Sequence, residues 1–364
     1  MQRVKGNCKV ADACRMRGQT TNNIDTHIAR GMKTSTQELK TNKILKQLLC
    51  SNELSIRFRV LKLIGKATAA ELANAQTEIK LSPRAKRLLS ECNANGEIPF
   101  HPYAKWYGAH WVLVCLADLH YPAADLTLLP LRKQVYGWLF SKEHQKSIRS
   151  IAGLTRRHAS QEGNALFALL TLGLADERTE ILAERLCEWQ WPDGGWNCDT
   201  RPATAVSSFT ESLIPLRALA LHGQLTRNRQ SQTAAKRAAE FFLKRRLFKR
   251  QRDGSIISPD FVKLHFPCYW HYDFLFGLKV MVESGFIQDE RCRDGLELLQ
   301  EKQLPGGGFP AEKKYYKAGA ALATGRSLVG WGSTGPTRMN EFVTTDAVSV
   351  LRSAGRIGAK DLTA

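Results

Sequence analysis

The sequence has no apolar run that approaches the length of a membrane span. A transmembrane helix needs about 20 consecutive apolar residues, and the 364 residues contain no such stretch. The first residues are polar and basic, and they lack the apolar core of a secretion signal. These absences argue against integral membrane and secreted proteins, and we expect a cytoplasmic location.

Signals for cysteine pairing are also missing. The nine cysteines are an odd number, and no two of them form a C-x-x-C pair. Cys115, Cys187, Cys268 and Cys292 stand in apolar helical contexts that are typical of buried, reduced thiols. This usage argues against a disulfide framework and against a zinc site built from cysteines alone. We expect neither a metal nor a cofactor.

Acidic residues are few compared with basic ones. The chain carries 53 Lys and Arg against 34 Asp and Glu, a formal net charge of +19. Much of the excess lies in residues 1–50 and in the cluster Lys244–Arg252. This cluster is either a solvated helix end whose cations suit the helix dipole, or a weak binding surface for an anionic membrane or a diphosphate. In the second interpretation Leu247 and Phe248 would enter the headgroup layer. No recognised motif predicts nucleic-acid binding.

Strand signals are almost absent, and helical periodicity dominates from about residue 39 onwards. A helix near 52–64 is followed by five largely apolar helices, which we expect to be buried. They are predicted at 106–120, 161–173, 207–223, 268–285 and 340–355. More charged helices, expected to lie outside them, are predicted at 131–141, 179–190, 232–247 and 290–303. We divide the chain into a disordered basic tail (1–37), a single helical domain (38–356) and a short tail (357–364).

A glycine-rich turn recurs along the chain. Gln190–Trp196 reads Q-x-x-x-G-x-W, and Gln303–Phe309 repeats the pattern with Phe in the last position. A weaker copy spans Gln251–Ile256. The middle glycines of the three copies are 60 and 53 residues apart. A turn that recurs near a fixed period indicates a repeat fold, here of about six helix pairs.

These turns resemble those of the superfamily that contains terpenoid cyclases and the β subunits of protein prenyltransferases. The resemblance covers residues 50–355 and implies an all-α fold, an (α/α)6 toroid of about six helix pairs with its active site in the central cavity. It also implies an isoprenoid or another small apolar substrate. The chain lacks the D-x-D-D motif with which class II cyclases protonate an alkene.

Ionisable residues stand near the start of each predicted inner helix. In a closed toroid these starts lie at the same end, so the residues would surround one cavity and carry out acid–base catalysis. Aromatic residues beside them are candidates for binding the substrate. The catalytic candidates are His110, Glu162, Glu211, His271, Asp273 and Glu341, and the substrate-binding candidates are Trp111, Trp270, Tyr272 and Phe342. His158 is a further candidate at the rim of the cavity.

Each of these residues also has a structural interpretation. A glutamate at a helix start is favoured by the helix dipole, and an arginine can neutralise it. Two other functions fit the same pattern: a carbohydrate-active (α/α) barrel enzyme, and a helical repeat scaffold without catalytic activity. The sequence names neither a substrate nor an oligomeric state.

Overall fold

The computed structural model describes residues 42–319 and 321–358, and most of this part is helical. The expected basic tail lies outside the described residues, as do 359–364. The described residues all belong to one compact unit, Glu38–Ala364. None of the helices in this part is both long and apolar enough to cross a membrane.

Fourteen helices run through the described part of the chain. The first, α1, covers 42–49. The others are α2 (Leu54–Ile64), α3 (Ala69–Glu78), α4 (Pro83–Leu89), α5 (Ala109–Asp118), α6 (Leu129–Leu139), α7 (Lys142–Lys146), α8 (Ala159–Thr171), α9 (Glu177–Glu188), α10 (Phe209–Thr226), α11 (Arg229–Leu243), α12 (Phe274–Glu283), α13 (Arg293–Glu301) and α14 (Glu341–Ser353). Four short strands form two separate pairs: β1 (Arg149–Ile151) with β2 (Leu154–Arg156), and β3 (Lys317–Ala318) with β4 (Arg326–Ser327).

Six helices, α2, α5, α8, α10, α12 and α14, supply much of the buried core, and we call them the inner helices. In chain order α5 packs against α8, α8 against α10, α10 against α12 and α12 against α14, while α14 packs against α2. Phe58 of α2 lies near His120, just after α5, with ring centroids 5.6 Å apart. Five of the inner helices also contact the helix that follows: α3, α6, α9, α11 or α13. The predicted alternation of buried and outer helices is therefore present.

The first two copies of the recurring turn have one backbone geometry. In the first copy the Trp191 amide donates to the Gly195 carbonyl and the Gly194 amide donates to the Trp191 carbonyl; the second copy repeats this pair of bonds at 304–308. The Gln190 side chain donates to the carbonyls of Gly194 and Ala234, which fastens the turn to α11. The aromatic residues that end the two turns, Trp196 and Phe309, are fully buried. The turn at 93–97 has the same pair of bonds without the glutamine.

The joint between α8 and α10 is unusually close. A Cβ atom on Gly163 of α8 would lie 2.9 Å from the backbone nitrogen of Pro215 in α10, so only glycine fits there without a shift. Pro215 has no amide hydrogen, and the helical bond to the carbonyl four residues earlier, at Glu211, is therefore missing. This joint lies less than two turns from the starts of both helices.

Two local expectations were wrong. Helix α12 begins at Phe274 instead of 268, because Asp273 caps it by accepting a bond from the Phe276 amide. Leu247 and Phe248 are buried in the core, at 0% and 4% exposure, so they cannot enter a lipid headgroup layer. The charges of the Lys244–Arg252 cluster are also partly neutralised, since Asp294 pairs with two of its cations.

The cysteine expectation is confirmed in part. The seven cysteines that the structure describes are all unpaired. Of the four that were expected to be buried, Cys115 and Cys292 are, whereas Cys187 and Cys268 are only partly covered.

Candidate functional site

A short β-hairpin brings three reactive side chains together at the starts of α8 and α10. Strands β1 and β2 pair antiparallel, and a two-residue turn with positive φ at Ala152 and Gly153 joins them. The end of β2 then pairs with the segment that follows the glycine-rich turn: the Arg157 amide donates to the Asn197 carbonyl over 3.2 Å. This pairing sets Cys198 beside His158.

Cys198, His158 and Glu211 have ligand-type atoms that all lie within 4.8 Å of one another. The His158 Nδ1 atom is 3.0 Å from the Glu211 Oε1 atom, and Glu211 Oε2 accepts a bond from the Ser160 amide. His158 is exposed, Cys198 is partly covered and Glu211 is buried. Solvent exposure therefore increases from the Glu211 carboxylate through Cys198 to the His158 imidazole. We call these three residues the Cys–His–Glu cluster.

The two neighbours of His158 change its titration. A hydrogen bond with Cys198, followed by one with Glu211, raises the pKa of His158 to about 10. The imidazole is therefore cationic at neutral pH. A cationic imidazole beside a cysteine favours the thiolate, which is the nucleophilic form of that side chain.

The same three residues are also of the types that bind zinc. A histidine, a cysteine and a carboxylate leave one position open in a tetrahedral site, as catalytic zinc sites do. In the described part of the chain they are the one group of three or more such residues that is close enough to hold an ion. The expectation of no metal stays a prediction.

Two of the predicted catalytic residues, His110 and Glu162, lie in a second cluster nearby. Glu162 Oε1 is 2.7 Å from His144 Nε2 and 3.6 Å from Arg157 Nε. The His110 ring donates through Nε2 to the Gln161 carbonyl over 2.9 Å, and burial lowers the pKa of His110 to about 4. Both predicted residues are fully buried and make their contacts within the protein.

An open groove of about 730 Å³ lies against this second cluster. Its lining combines aromatic faces with polar groups that belong to the cluster: Tyr103, Trp138, His144, Arg157 and Gln161. Burial raises the pKa of Tyr103 to about 12, and the charges of Glu211 and Cys198 also raise it. The Tyr103 hydroxyl, which lines the groove, therefore lies within electrostatic range of the Cys–His–Glu cluster.

The remaining acidic and histidine candidates lie in two separate places. Asp273 accepts from the His265 amide and lies 2.7 Å from His265 Nδ1. His271 stacks on Tyr315 at 3.6 Å between ring centroids, and burial lowers the pKa of His271 to about 3. Glu341 accepts from the hydroxyl of Ser51 at the start of α2.

The four aromatic candidates are also divided. Trp111 is buried and lies edge-on to Trp106, which in turn lies 5.9 Å from His271. Trp270 stacks on His271 at 4.0 Å. The other two lie in packed core, where the Tyr272 hydroxyl donates to the Leu247 carbonyl and Phe342 stacks on Phe266.

Sequence reasoning missed Cys198 and the role of His144. Cys198 stands two residues after the conspicuous Trp196, but no short motif links it to His158. The two residues meet only because β2 pairs with the segment at 197, and a strand of three residues leaves a weak pattern. His144 was not among the sequence candidates, whereas it contacts Glu162 and Arg157 inside the second cluster.

Comparisons of the chain with family models, with curated proteins and with solved structures find no match. The site is therefore interpreted from its own chemistry.

Proposed function

We propose that this chain is an enzyme that uses Cys198 as a nucleophile, with His158 as its base and Glu211 as the group that orients the base. The observation that carries the proposal is the Cys–His–Glu cluster itself. A nucleophile within reach of a base, with a third group holding the base, is the arrangement that activates serine and cysteine enzymes.

The reaction starts from an ion pair. The proton of the Cys198 thiol already lies on His158, and the Glu211 carboxylate stabilises this imidazolium. The thiolate then attacks an electrophilic carbon of the substrate, and His158 returns the proton to the leaving group. The sulfur–carbon bond formed in this step is broken later by water or by a second substrate.

The groove indicates the substrate class. Tyr103 and Trp138 offer apolar faces, while Arg157 and Gln161 offer hydrogen-bond donors at the same wall. We infer a small molecule that is partly apolar, which agrees with the expectation of an isoprenoid or another apolar substrate.

The proposal includes the closed (α/α)6 toroid and the resemblance to terpenoid cyclases and prenyltransferases. The order of contacts among the inner helices supports closure, because the helices from α5 through α14 to α2 pack one against the next, and Phe58 of α2 lies near His120, just after α5. The repeated glycine-rich turns support the resemblance. In such a toroid the Cys–His–Glu cluster lies where inner helices begin, as was expected for acid–base residues.

The test is the pH dependence of cysteine alkylation by iodoacetamide, followed at each site by mass spectrometry. Cys50 is exposed and serves as an internal reference thiol. We expect Cys198 to react at nearly constant rate from pH 6 to 8, while the reaction of the exposed Cys50 should become steeply faster with pH, because an ordinary thiol is mostly protonated in this range. His158→Ala should give Cys198 the profile of Cys50.

His101→Ala is the matched control, since His101 lines the groove without contacting Cys198 in the structure. It should leave the alkylation profile unchanged. Two outcomes would overturn the proposal. The first is that Cys198 follows the Cys50 profile in the unmodified protein, and the second is that it reacts only after a chelator is added, which would identify a metal site at the same residues.

A further inference from the structure

A second candidate site lies where the inner helices end, away from the helix starts that form the Cys–His–Glu cluster. Two adjoining cavities of about 500 and 450 Å³ are lined by residues from the later parts of the inner helices. They share Lys62, His120, Lys279 and Glu283. We propose that these cavities bind a small organic anion, with a carboxylate or phosphate group at the shared residues and an apolar body in the smaller cavity.

The lining has more cations than carboxylates. Five cationic side chains face three acidic ones: Arg59, Lys62, Arg217, Lys279 and Arg352 against Asp118, Glu283 and Asp346. A cavity wall with excess positive charge attracts an anion, most strongly at the buried Arg59 guanidinium, where the interaction is weakly screened.

The ion pairs leave part of this charge uncompensated. Asp346 is shared by two cations, since it pairs with Arg59 and lies 3.1 Å from Lys279. The Nη1 atom of Arg59 is buried and has no hydrogen-bond partner in the described part of the chain. Lys62 has no ion pair among the described residues. An unpaired buried guanidinium nitrogen is costly, and an anion in the cavity would satisfy it.

His120 lies in the positive electrostatic potential of the residues that the two cavities share. Burial, and then the charges of Arg59 and Lys279, lower the pKa of His120 well below its ordinary value. The imidazole is therefore neutral at pH 7 and can donate a hydrogen bond to an anion without adding to the repulsion among the cations.

The helix dipoles account for only two of the five cations, Lys62 and Arg352, which stand in the last turns of α2 and α14. The negative end of a helix acts mainly within its last turn. Arg59 and Lys279 stand more than one turn before the ends of α2 and α12, and Arg217 stands more than two turns before the end of α10. These three cations therefore lie too deep in their helices to serve chiefly as helix-end charges.

The smaller cavity has an apolar wall. Phe167 and Leu170 of α8 face it together with Leu221 and Leu225 of α10. The Arg217 guanidinium lies 3.6 Å from the centre of the Phe167 ring, where it joins the charged part of the wall to the apolar part. This arrangement fits a ligand with one anionic end and a short hydrocarbon body.

The proposal is tested by calorimetric titration of the full chain with three probes that share an eight-carbon tail: octanoate, octyl phosphate and octanol. At least one anionic probe should bind ten or more times tighter than octanol, and the tighter of the two identifies the charged group. Equal affinity for all three probes, or no binding, would overturn the proposal.

Two variants localise the binding. Lys279→Met should weaken the anionic probe at least tenfold, and Lys62→Met tests the rim with a residue that has no ion pair to lose. Lys263→Met is the matched control, since Lys263 forms an ion pair with Asp260 outside both cavities. A Lys62→Met variant that folds normally and binds as tightly as the unmodified protein would exclude a site at the shared residues. Iodoacetamide labelling of Cys198 should be unchanged in all three variants, so the outcome is independent of the proposed nucleophile.

Discussion

Replacing Gly194 and Gly254, the middle glycines of two copies of the recurring sequence pattern, separates backbone strain from steric overlap. Gly194 and Gly254 both have positive φ, +99° and +69°. A Cβ atom on Gly194 would lie only 2.3 Å from the carbonyl oxygen of Arg237, whereas a Cβ atom on Gly254 meets nothing within 4 Å. Alanine therefore carries a conformational cost at both positions, and only Gly194 adds a steric overlap.

The expected magnitudes follow from these two terms. The left-handed conformation costs a non-glycine residue about 1–2 kcal/mol, and this is the whole penalty expected for Gly254→Ala. Gly194→Ala adds overpacking against the backbone of α11, which costs about 1–3 kcal/mol more. The free energy of unfolding should thus fall by about 2–5 kcal/mol for Gly194→Ala.

Urea unfolding followed by circular dichroism measures both variants. The difference in midpoint is interpretable only if the slope m stays the same. Equal losses for the two variants would refute the reasoning, because they would mean that the turn at 190–196 moves away from α11 at no cost.

Three further predictions concern charge. As the pH falls from about 6.5 to 4, His110 should lower the free energy of unfolding by up to about 3 kcal/mol, because its imidazole is protonated in the unfolded chain and stays neutral in the folded protein. The His110→Gln variant, compared across this pH range by urea unfolding, should lose less stability. Arg217→Met should cost about 3–5 kcal/mol in thermal or urea unfolding, since it strands the carboxylates of Asp118 and Glu283, and a loss below 1 kcal/mol would contradict the buried ion bridge. Any binding of the Lys244–Arg252 cluster to phosphatidylserine vesicles should be purely electrostatic and vanish in cosedimentation at about 0.5 M salt, where charges are screened within a few ångströms.

The helices were predictable because their signals are local and long. Apolar spacing placed α8 within two residues at each end, and the glycine-rich turns marked where outer helices stop. The start of α12 was missed since an apolar loop precedes it and only the cap at Asp273 distinguishes the two. Leu247 appeared exposed because charged neighbours surround it in sequence, although its backbone turns it inward.

The site was predictable only in part. Glu211 was found because a glutamate at the start of an apolar helix is visible in the sequence. Its partner Cys198 depends on a contact between a three-residue strand and a loop about 40 residues later, and no periodicity records such a contact. The cavities at the helix ends depend on side chains from six helices. Each cation among these side chains looks like an ordinary surface residue in its own sequence segment.

The close joint between α8 and α10 has a mechanical consequence for the catalytic proposal. His158 precedes α8 and Glu211 stands in the first turn of α10, so the spacing of these two helices sets the 3.0 Å between imidazole and carboxylate. The close contact between Gly163 and Pro215 determines that spacing. A single methyl group at Gly163 would push the starts of α8 and α10 apart. The hydrogen bond between His158 and Glu211 would then lengthen, although neither of these two residues had changed. The tolerance of the site to mutation is thus decided in the core, one to two turns below it.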